Sequence, residues 1–153
     1  MIREEDGGFR HIPDDIMPSP SWSPRDASTG IEYAEERVVF DRWIRQDQGV
    51  QFPLARAYVE LEAADMICRR AAAFFDADKE YGADANMAKL LASEAGWHAA
   101  EATMQTYGGF AFAREYDIER KWCEIRLYQT APISTNLILA YIGQHVLGMP
   151  RSY

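Results

Sequence analysis

The sequence predicts an all-α protein: an antiparallel four-helix-type bundle with an extra C-terminal helix, preceded by a proline-rich arm. Apolar residues recur at three- and four-residue spacing along several stretches, which is typical of helices that bury one face. No segment alternates polar and apolar residues between turn signals, so we expect no sheet. The 153 residues, 48% of them hydrophobic, are enough for one domain with its own core.

The chain divides into a proline-rich N-terminal arm at residues 1–28 and a helical bundle at residues 29–153. The arm holds four of the seven prolines, each of which fixes φ and removes a backbone donor. An extended arm that docks loosely through apolar anchors and a disordered tail are both consistent with this composition. The anchors would be Phe9, Ile12, Ile16 and Trp22.

Two long helices are expected after the arm. Thr29 and Glu32 have the spacing of a capping box, so the first helix is predicted at residues 31–46. Residues 47–49 interrupt it, and the second helix is predicted at about residues 50–76, with a proline only in its first turn. The predicted buried stripe of that second helix consists of Phe52, Ala55, Val59, Ala63, Met66, Ile67, Ala71 and Phe74.

Three further helices complete the predicted bundle. Asp84 is the expected N-cap of a third helix that ends at Tyr107, before a pair of glycines. A fourth helix is predicted at about residues 116–129, before a proline, and a fifth at about residues 134–146. The predicted buried stripe of the fifth helix consists of Leu137, Ile138, Tyr141, Ile142 and Val146.

Composition and charge exclude several classes of function. With 24 acidic and 16 basic side chains the net charge is −8, the wrong sign for binding a phosphate backbone, so no nucleic-acid partner is expected. No apolar stretch has the length of a membrane span, and the N-terminus lacks the apolar core of a signal peptide. Cys68 and Cys123 lie far apart without metal-ligand spacing, which favours reduced thiols in the cytoplasm.

Motifs for metal-dependent or nucleophilic catalysis are scarce. Glu94 and His98 lie four residues apart on one helical face, but no second such pair exists. We therefore expect no metal site and favour a buried, hydrogen-bonded histidine. Cys68 lies in an apolar-rich helix and is expected to pack rather than to react.

Two groups of residues stand out as a candidate binding site. Near the end of the first predicted helix lie a cation, an aromatic ring and an amide, Arg37, Phe40 and Gln48. At the end of the third, the backbone can approach a ligand closely beside an amide and two glycines, Gln105, Gly108 and Gly109. An ion pair with Glu32 or Glu36 would also explain the arginine, and a helix C-cap would explain the glycines.

Further residues lie before, between and after these two groups, and together they form one ordered series along the chain. With them, the series reads Tyr33, Arg37, Phe40, Gln48, Val50, Gln51, Leu54, Ala55, Ala88, Lys89, Gln105, Gly108, Gly109, Glu119 and Arg120. The series resembles the C-terminal helical domain of the acyl-CoA dehydrogenase family. The resemblance extends from about residue 31 to the end of the chain, and it depends on the shared order of motifs that are individually weak.

The resemblance implies an FAD-dependent oxidoreductase that acts on the CH–CH bond of an acyl-CoA, with three domains and an oligomeric assembly. It also implies that this domain contacts the ADP part of FAD, with an arginine at the pyrophosphate and glycines close to the cofactor. Carried over to this chain, the FAD-binding residues are Arg37, Phe40, Gln48, Gln105, Gly108 and Gly109. The implied partners are acyl-CoA, FAD and either a second copy of the chain or a partner dehydrogenase subunit.

The chain departs from the family pattern at several positions. Asp41 stands where the family has glycine, and Cys123 stands where it commonly has arginine. Residues 128–134 occupy the place of the Y-E-G-T motif that supplies the catalytic glutamate, and no carboxylate follows Arg126. Because general-base catalysis needs such a carboxylate, we nominate no catalytic residue, and the enzymatic status of this chain stays open.

The sequence thus predicts an acyl-CoA dehydrogenase-like C-terminal domain, as a fragment or truncated product, that does not catalyse the reaction by itself. Two alternatives stand beside it. One is a non-catalytic assembly subunit that completes a flavin site on a fuller partner, and the other is a truncated remnant that self-associates. Exposed apolar helix faces would favour oligomers in all three cases.

Overall fold

The computed structural model describes residues 24–151, with side chains from Ser28 onward. Within that range the chain folds into five α-helices, which confirms the all-α class. They are α1 (Pro24–Glu36), α2 (Gln48–Asp76), α3 (Gly82–Tyr107), α4 (Ile118–Tyr128) and α5 (Thr135–Tyr141). Most of the predicted arm, residues 1–23, lies outside the described residues, and its division from the bundle at residue 28 stays a prediction.

Helix α3 lies at the centre of the bundle. It packs against α1, α2, α4 and α5, and its most extensive contact is with α2. A short turn at residues 77–81 joins α2 to α3, so these two helices run antiparallel. Because other helices surround α3, it buries small residues around much of its circumference. They include Ala88, Ser93, Ala95, Gly96, Ala99, Ala100, Ala102 and Thr103.

Alanines form the contact between α2 and α3. Ala57 and Ala64 of α2 meet Ala95 and Ala99 of α3 in one cluster, together with Leu61. Small side chains let the two backbones approach each other closely. The interior is therefore filled by close contact between the helices rather than by large side chains.

Two glycines lie where an added side chain would crowd its neighbours within the chain itself. A Cβ atom on Gly96 would lie 2.7 Å from Cδ1 of Ile125, a buried residue of α4. A Cβ atom on Gly30 would lie 3.1 Å from both Leu54 Cδ2 and Thr103 Oγ1. These distances are shorter than ordinary van der Waals contacts, so the two glycines allow α4 and α1 to lie against α3.

The first helix begins and ends earlier than the sequence predicts. It starts at Pro24, and proline suits the first turn of a helix. Thr29 therefore lies inside the helix, and the predicted capping box is wrong. The helix ends at Glu36, because the β-branched Val38 and Val39 favour extended backbone.

A small antiparallel hairpin replaces the end of the predicted first helix, so the expectation of no sheet is wrong. Its strands are β1 (Val38–Val39) and β2 (Arg42–Trp43). Phe40 and Asp41 form the turn with φ values of 51° and 60°. Two positive φ values are typical of the tight turns that match the twist of a hairpin.

The buried face of α2 is not the one that the apolar pattern predicts. Its buried residues are Leu54, Ala57, Leu61, Ala64 and Ala71. From the predicted stripe only Ala71 is buried, and Ile67 and Phe74 are partly buried. The other members are exposed, namely Phe52, Ala55, Val59, Ala63 and Met66. Both faces repeat with the period of a helix, and the alanine-rich face is buried because it allows close approach to α3.

The starts of α3 and α5 show how the helix ends are stabilised. Tyr81 is the N-cap residue of α3, so the predicted capping role of Asp84 is wrong. Asp84 is buried in the first turn instead, where the helix dipole favours a carboxylate, and it pairs with Arg70 at 2.5 Å. At the start of α5, the Ser134 hydroxyl accepts a backbone N–H at 3.4 Å.

The predicted stripe of the last helix is buried only in its middle. Ile138 is buried, Tyr141 and Ile142 are partly buried, and Leu137 and Val146 are exposed. The α5 segment continues into a wider helical turn after its last α-helical residue. None of the helices within residues 24–151 combines the length and the apolar character needed to cross a bilayer.

Candidate functional site

A pocket opens where the C-terminal ends of α1 and α3 meet the hairpin. Its volume is about 400 Å³, within the range of small-molecule sites. The α1 end contributes Tyr33 and Arg37, and the α3 end contributes Tyr107 together with residues 108–110 of the following turn. Three of the predicted FAD-binding residues therefore line one cavity. These three residues are Arg37, Gly108 and Gly109.

Arg37 is held at the pocket through its backbone. Its N–H donates to the Tyr33 carbonyl and its own carbonyl accepts from the Ile44 N–H, both at 3.0 Å. Its guanidinium carbon lies 5.3 Å from the centroid of the Phe110 ring, a cation–π distance. Among residues 28–151, no carboxylate forms an ion pair with it, so the alternative of pairing with a helix glutamate is not realised there.

The two glycines at the end of α3 are there for different reasons. Gly108 is the C-cap residue, with φ 57° and ψ −132°, a backbone conformation that favours glycine. A Cβ atom on Gly109 would meet no atom within 4 Å. The fold of the chain therefore requires Gly108, whereas nothing among the described residues requires the absence of a side chain at Gly109.

Aromatic side chains form the wall beneath the pocket. The rings of Tyr33 and Tyr107 stack with their centroids 3.9 Å apart, and Tyr116 meets Tyr107 edge to face at 5.3 Å. The Tyr107 hydroxyl donates to the Thr29 carbonyl at 3.4 Å. Burial, together with the neighbouring tyrosines, raises the pKa of Tyr107, so its phenol stays neutral and keeps this hydrogen bond at physiological pH.

The other predicted site residues lie outside the pocket lining. Phe40 is 95% exposed at the tip of the hairpin, beside Asp41. Gln48 is the exposed first residue of α2. Gln105 is exposed on α3, and its amide donates to the Glu101 carboxylate at 3.1 Å. The aromatic residues that frame the two glycines, at positions 107 and 110, were not predicted to line the site, although their places next to Gly108 and Gly109 could have indicated it.

Neither His98 nor the two cysteines form a second site within the described residues. His98 is exposed, so the expected burial is wrong, but it does have a hydrogen-bond partner: its Nδ1 lies 2.6 Å from the Glu60 carboxylate of α2. Among the described residues, no three side chains that could ligate a metal come together. Cys68 and Cys123 are both free thiols, and burial and the nearby Asp65 charge raise the pKa of Cys68, which disfavours its nucleophilic thiolate.

The segment after α4 contains the amide side chain of Gln129 and no carboxylate. The Gln129 side chain accepts a hydrogen bond from Arg126, and its backbone carbonyl accepts from the Thr135 hydroxyl at 3.2 Å. Nearby, the Lys89 ammonium donates to the Tyr128 carbonyl, and burial lowers the pKa of Lys89. The segment is fixed by these contacts, and no Asp or Glu follows position 124 in the sequence.

The bundle and its end pocket define an all-α domain with a cavity large enough for a small molecule. A family model described as the C-terminal domain of acyl-CoA dehydrogenase matches residues 26–147. The chain therefore belongs to the acyl-CoA dehydrogenase family, which confirms the resemblance. Acyl-CoA dehydrogenase FadE12 of Mycobacterium tuberculosis is 36% identical over 125 residues, which cover 80% of this chain and 32% of the relative.

Solved structures agree with this assignment. The butyryl-CoA dehydrogenase of Megasphaera elsdenii matches with a TM-score of 0.77 and 25% identity, over 80% of this chain and 32% of that one. The FAD complex of PigA matches with a TM-score of 0.78 and 27% identity, over 82% of this chain and 32% of that one. The chain thus spans about a third of the length of the relatives that it matches.

Proposed function

We propose that this chain serves as the C-terminal helical domain of an FAD-dependent acyl-CoA dehydrogenase assembly, and that its pocket binds the ADP part of FAD. The observation that carries the proposal is that Arg37, Gly108 and Gly109 line one cavity although the arginine and the glycines are far apart in sequence. A cation beside backbone without side chains is the combination that a diphosphate needs.

The residues present fit this group. The guanidinium of Arg37 has no ion pair among the described residues, so its N–H groups can donate to pyrophosphate oxygens. The space in front of Gly109 is open, so a ligand can come close to the backbone there. Asp41, whose charge would oppose an anion, does not line the pocket. Phe40, Gln48 and Gln105 remain proposed FAD contacts. Because they lie outside the pocket lining, they would reach the cofactor only in an assembly with a partner chain.

We assign no catalytic residue to this chain. FAD, when bound, supplies the acceptor for a hydride from the acyl-CoA, and a carboxylate must take the α-proton. In this chain Gln129 lies in the segment expected to supply that carboxylate, and an amide cannot take up the proton. The base would therefore come from another part of the assembly, and the role of this chain is to hold the cofactor.

A second candidate function is a non-catalytic assembly subunit, or a remnant that self-associates. It is favoured by the outer face of α2, where Phe52, Val59 and Met66 are 60%, 65% and 70% exposed. Such a face is expected to be covered by a second copy of the chain or by a partner dehydrogenase subunit. Native mass measurement distinguishes a homo-oligomer from a mixed assembly.

We also propose the cytoplasm as the compartment, because both cysteines are free thiols.

Titration with FAD and ADP tests the cofactor proposal. Arg37→Gln is compared with Arg45→Gln, which removes an equal charge from an arginine that lies over Trp43 outside the pocket lining. We expect wild type and Arg45→Gln to bind both ligands alike, followed by flavin fluorescence and calorimetry. Arg37→Gln should bind about tenfold more weakly, because one charge-assisted hydrogen bond is lost. Equal affinities for the two variants would contradict the role of Arg37.

A further inference from the structure

We infer that Phe110 is a positioning residue, which holds the guanidinium of Arg37 at the pocket for an anionic ligand. The inference rests on the proposed function, because it concerns the same pocket. Phe110 directly follows the glycine pair and lines the cavity together with Arg37. The contact between them joins the end of α1 to the turn after α3.

The position of the Arg37 side chain depends on this ring. Its backbone is fixed at both its N–H and its carbonyl, but the residue as a whole is exposed. An arginine has a long side chain with many rotamers, and binding loses affinity when such a chain must be ordered. Because no ion pair holds the guanidinium within residues 28–151, the face of the Phe110 ring at 5.3 Å is what restricts it there.

The Phe110 ring is itself held in place. It meets Tyr116 edge to face, with centroids 5.9 Å apart and planes at 71°. Tyr116 in turn contacts the stacked pair of Tyr33 and Tyr107. The Phe110 carbonyl accepts a backbone N–H at 3.0 Å. The ring thus connects Arg37 to an aromatic cluster, whose member Tyr107 is buried.

An aromatic face leaves the donors of an arginine available. A carboxylate partner would occupy the N–H groups of the guanidinium in its plane, whereas a ring contacts the flat side of the group. The N–H groups at the edge stay free to bind the oxygens of a diphosphate. Phe110 can therefore fix Arg37 without competing with the ligand, which is a reason for an aromatic residue rather than an acidic one at this position.

Variants of Phe110 test the inference through two measurements. Phe110→Leu removes the aromatic ring and keeps an apolar side chain, Phe110→Tyr restores a ring, and Phe112→Leu is the matched control. Phe112 is 71% exposed in the same turn and does not line the pocket. The first measurement is the ring-current shift of the Arg37 side-chain NMR signals without ligand, and the second is the affinity for ADP.

We expect Phe110→Leu to abolish the ring-current shift and to weaken ADP binding about two- to fivefold, the size of an exposed cation–π contact. Phe110→Tyr should restore both, and Phe112→Leu should change neither. In an Arg37→Gln background Phe110→Leu should have no further effect on affinity, because Phe110 acts through the arginine.

Two negative results can be told apart. If Phe110→Leu binds ADP as wild type does while Arg37→Gln binds more weakly, the positioning role is overturned and the proposed cofactor site stands. If wild type and Arg37→Gln have the same negligible affinity, the proposed function fails and the inference fails with it. Unchanged Arg37 signals in Phe110→Leu would also overturn the inference, whatever the affinity.

Discussion

The middle and the C-terminal end of α3 use glycine for opposite reasons. At Gly96 a Cβ atom would lie 2.7 Å from Ile125, so the glycine is explained by the packing of α4. At Gly109, just beyond the helix, a Cβ atom would meet nothing within 4 Å. A residue without a side chain beside open space, in a pocket that also contains Arg37, is what the proposed ligand site requires.

The two regions also differ in how their polar groups are satisfied. In the body of the bundle the buried carboxylate of Asp84 has Arg70 as its partner. At the pocket the charged group of Arg37 has a ring beneath it and no carboxylate partner among the described residues. Packing inside the chain therefore accounts for the Asp84 carboxylate, whereas the N–H groups of Arg37 are available to the proposed ligand.

The largest effect on stability is expected at Gly108. Alanine there would have to adopt φ 57° and ψ −132°, a conformation that side chains disfavour. We predict that Gly108→Ala lowers the free energy of unfolding by about 1–3 kcal/mol, measured by urea denaturation. A Gly108→Ala variant as stable as wild type would mean that the turn after α3 can relax.

A smaller loss of stability is expected at Gly96. The Cβ of Gly96→Ala overlaps Ile125, which costs about 1–3 kcal/mol, although alanine regains up to about 1 kcal/mol of helix propensity. We predict a net loss of roughly 1 kcal/mol in the same urea assay. The control is Gly49→Ala in the first turn of α2, where a Cβ meets nothing within 4 Å. If Gly96→Ala were as well tolerated as that control, the tight contact between α3 and α4 would be wrong.

The sequence predicts the bounds of α2 and the end of α3 well because their punctuation is local, whereas the first helix was placed too late in the chain. The second helix was predicted at residues 50–76 and is found at Gln48–Asp76, and the glycine pair correctly marks the end of α3. The hairpin was missed because its strands have two residues each, too few to show alternation, and its turn contains no glycine. The buried face of α2 was misassigned because two faces have the same period, and only the contact with α3 selects between them.

The candidate site was predictable residue by residue only in part. The resemblance identified Arg37 and the glycines, but their meeting in one pocket depends on how α1 lies against α3. Gln105 lies two residues before the pocket-lining Tyr107, which is about 200° around the helix, so it points elsewhere. Tyr107 and Phe110 were missed because the glycines were weighed and the aromatic residues beside them were not, and Tyr107 is also a buried core residue.

The proposed role of the open space at Gly109 is tested most directly by FAD titration of Gly109→Ala, with Gly49→Ala of α2 as the control. Neither Cβ would come within 4 Å of a non-neighbouring atom in the part of the chain that the structure describes, so both variants should unfold within about 0.5 kcal/mol of wild type. We predict that Gly49→Ala binds FAD as wild type does, and that Gly109→Ala binds about tenfold more weakly because its methyl group fills ligand space. Equal FAD affinity for Gly109→Ala and Gly49→Ala would contradict the claim that the open space at Gly109 is a cofactor site.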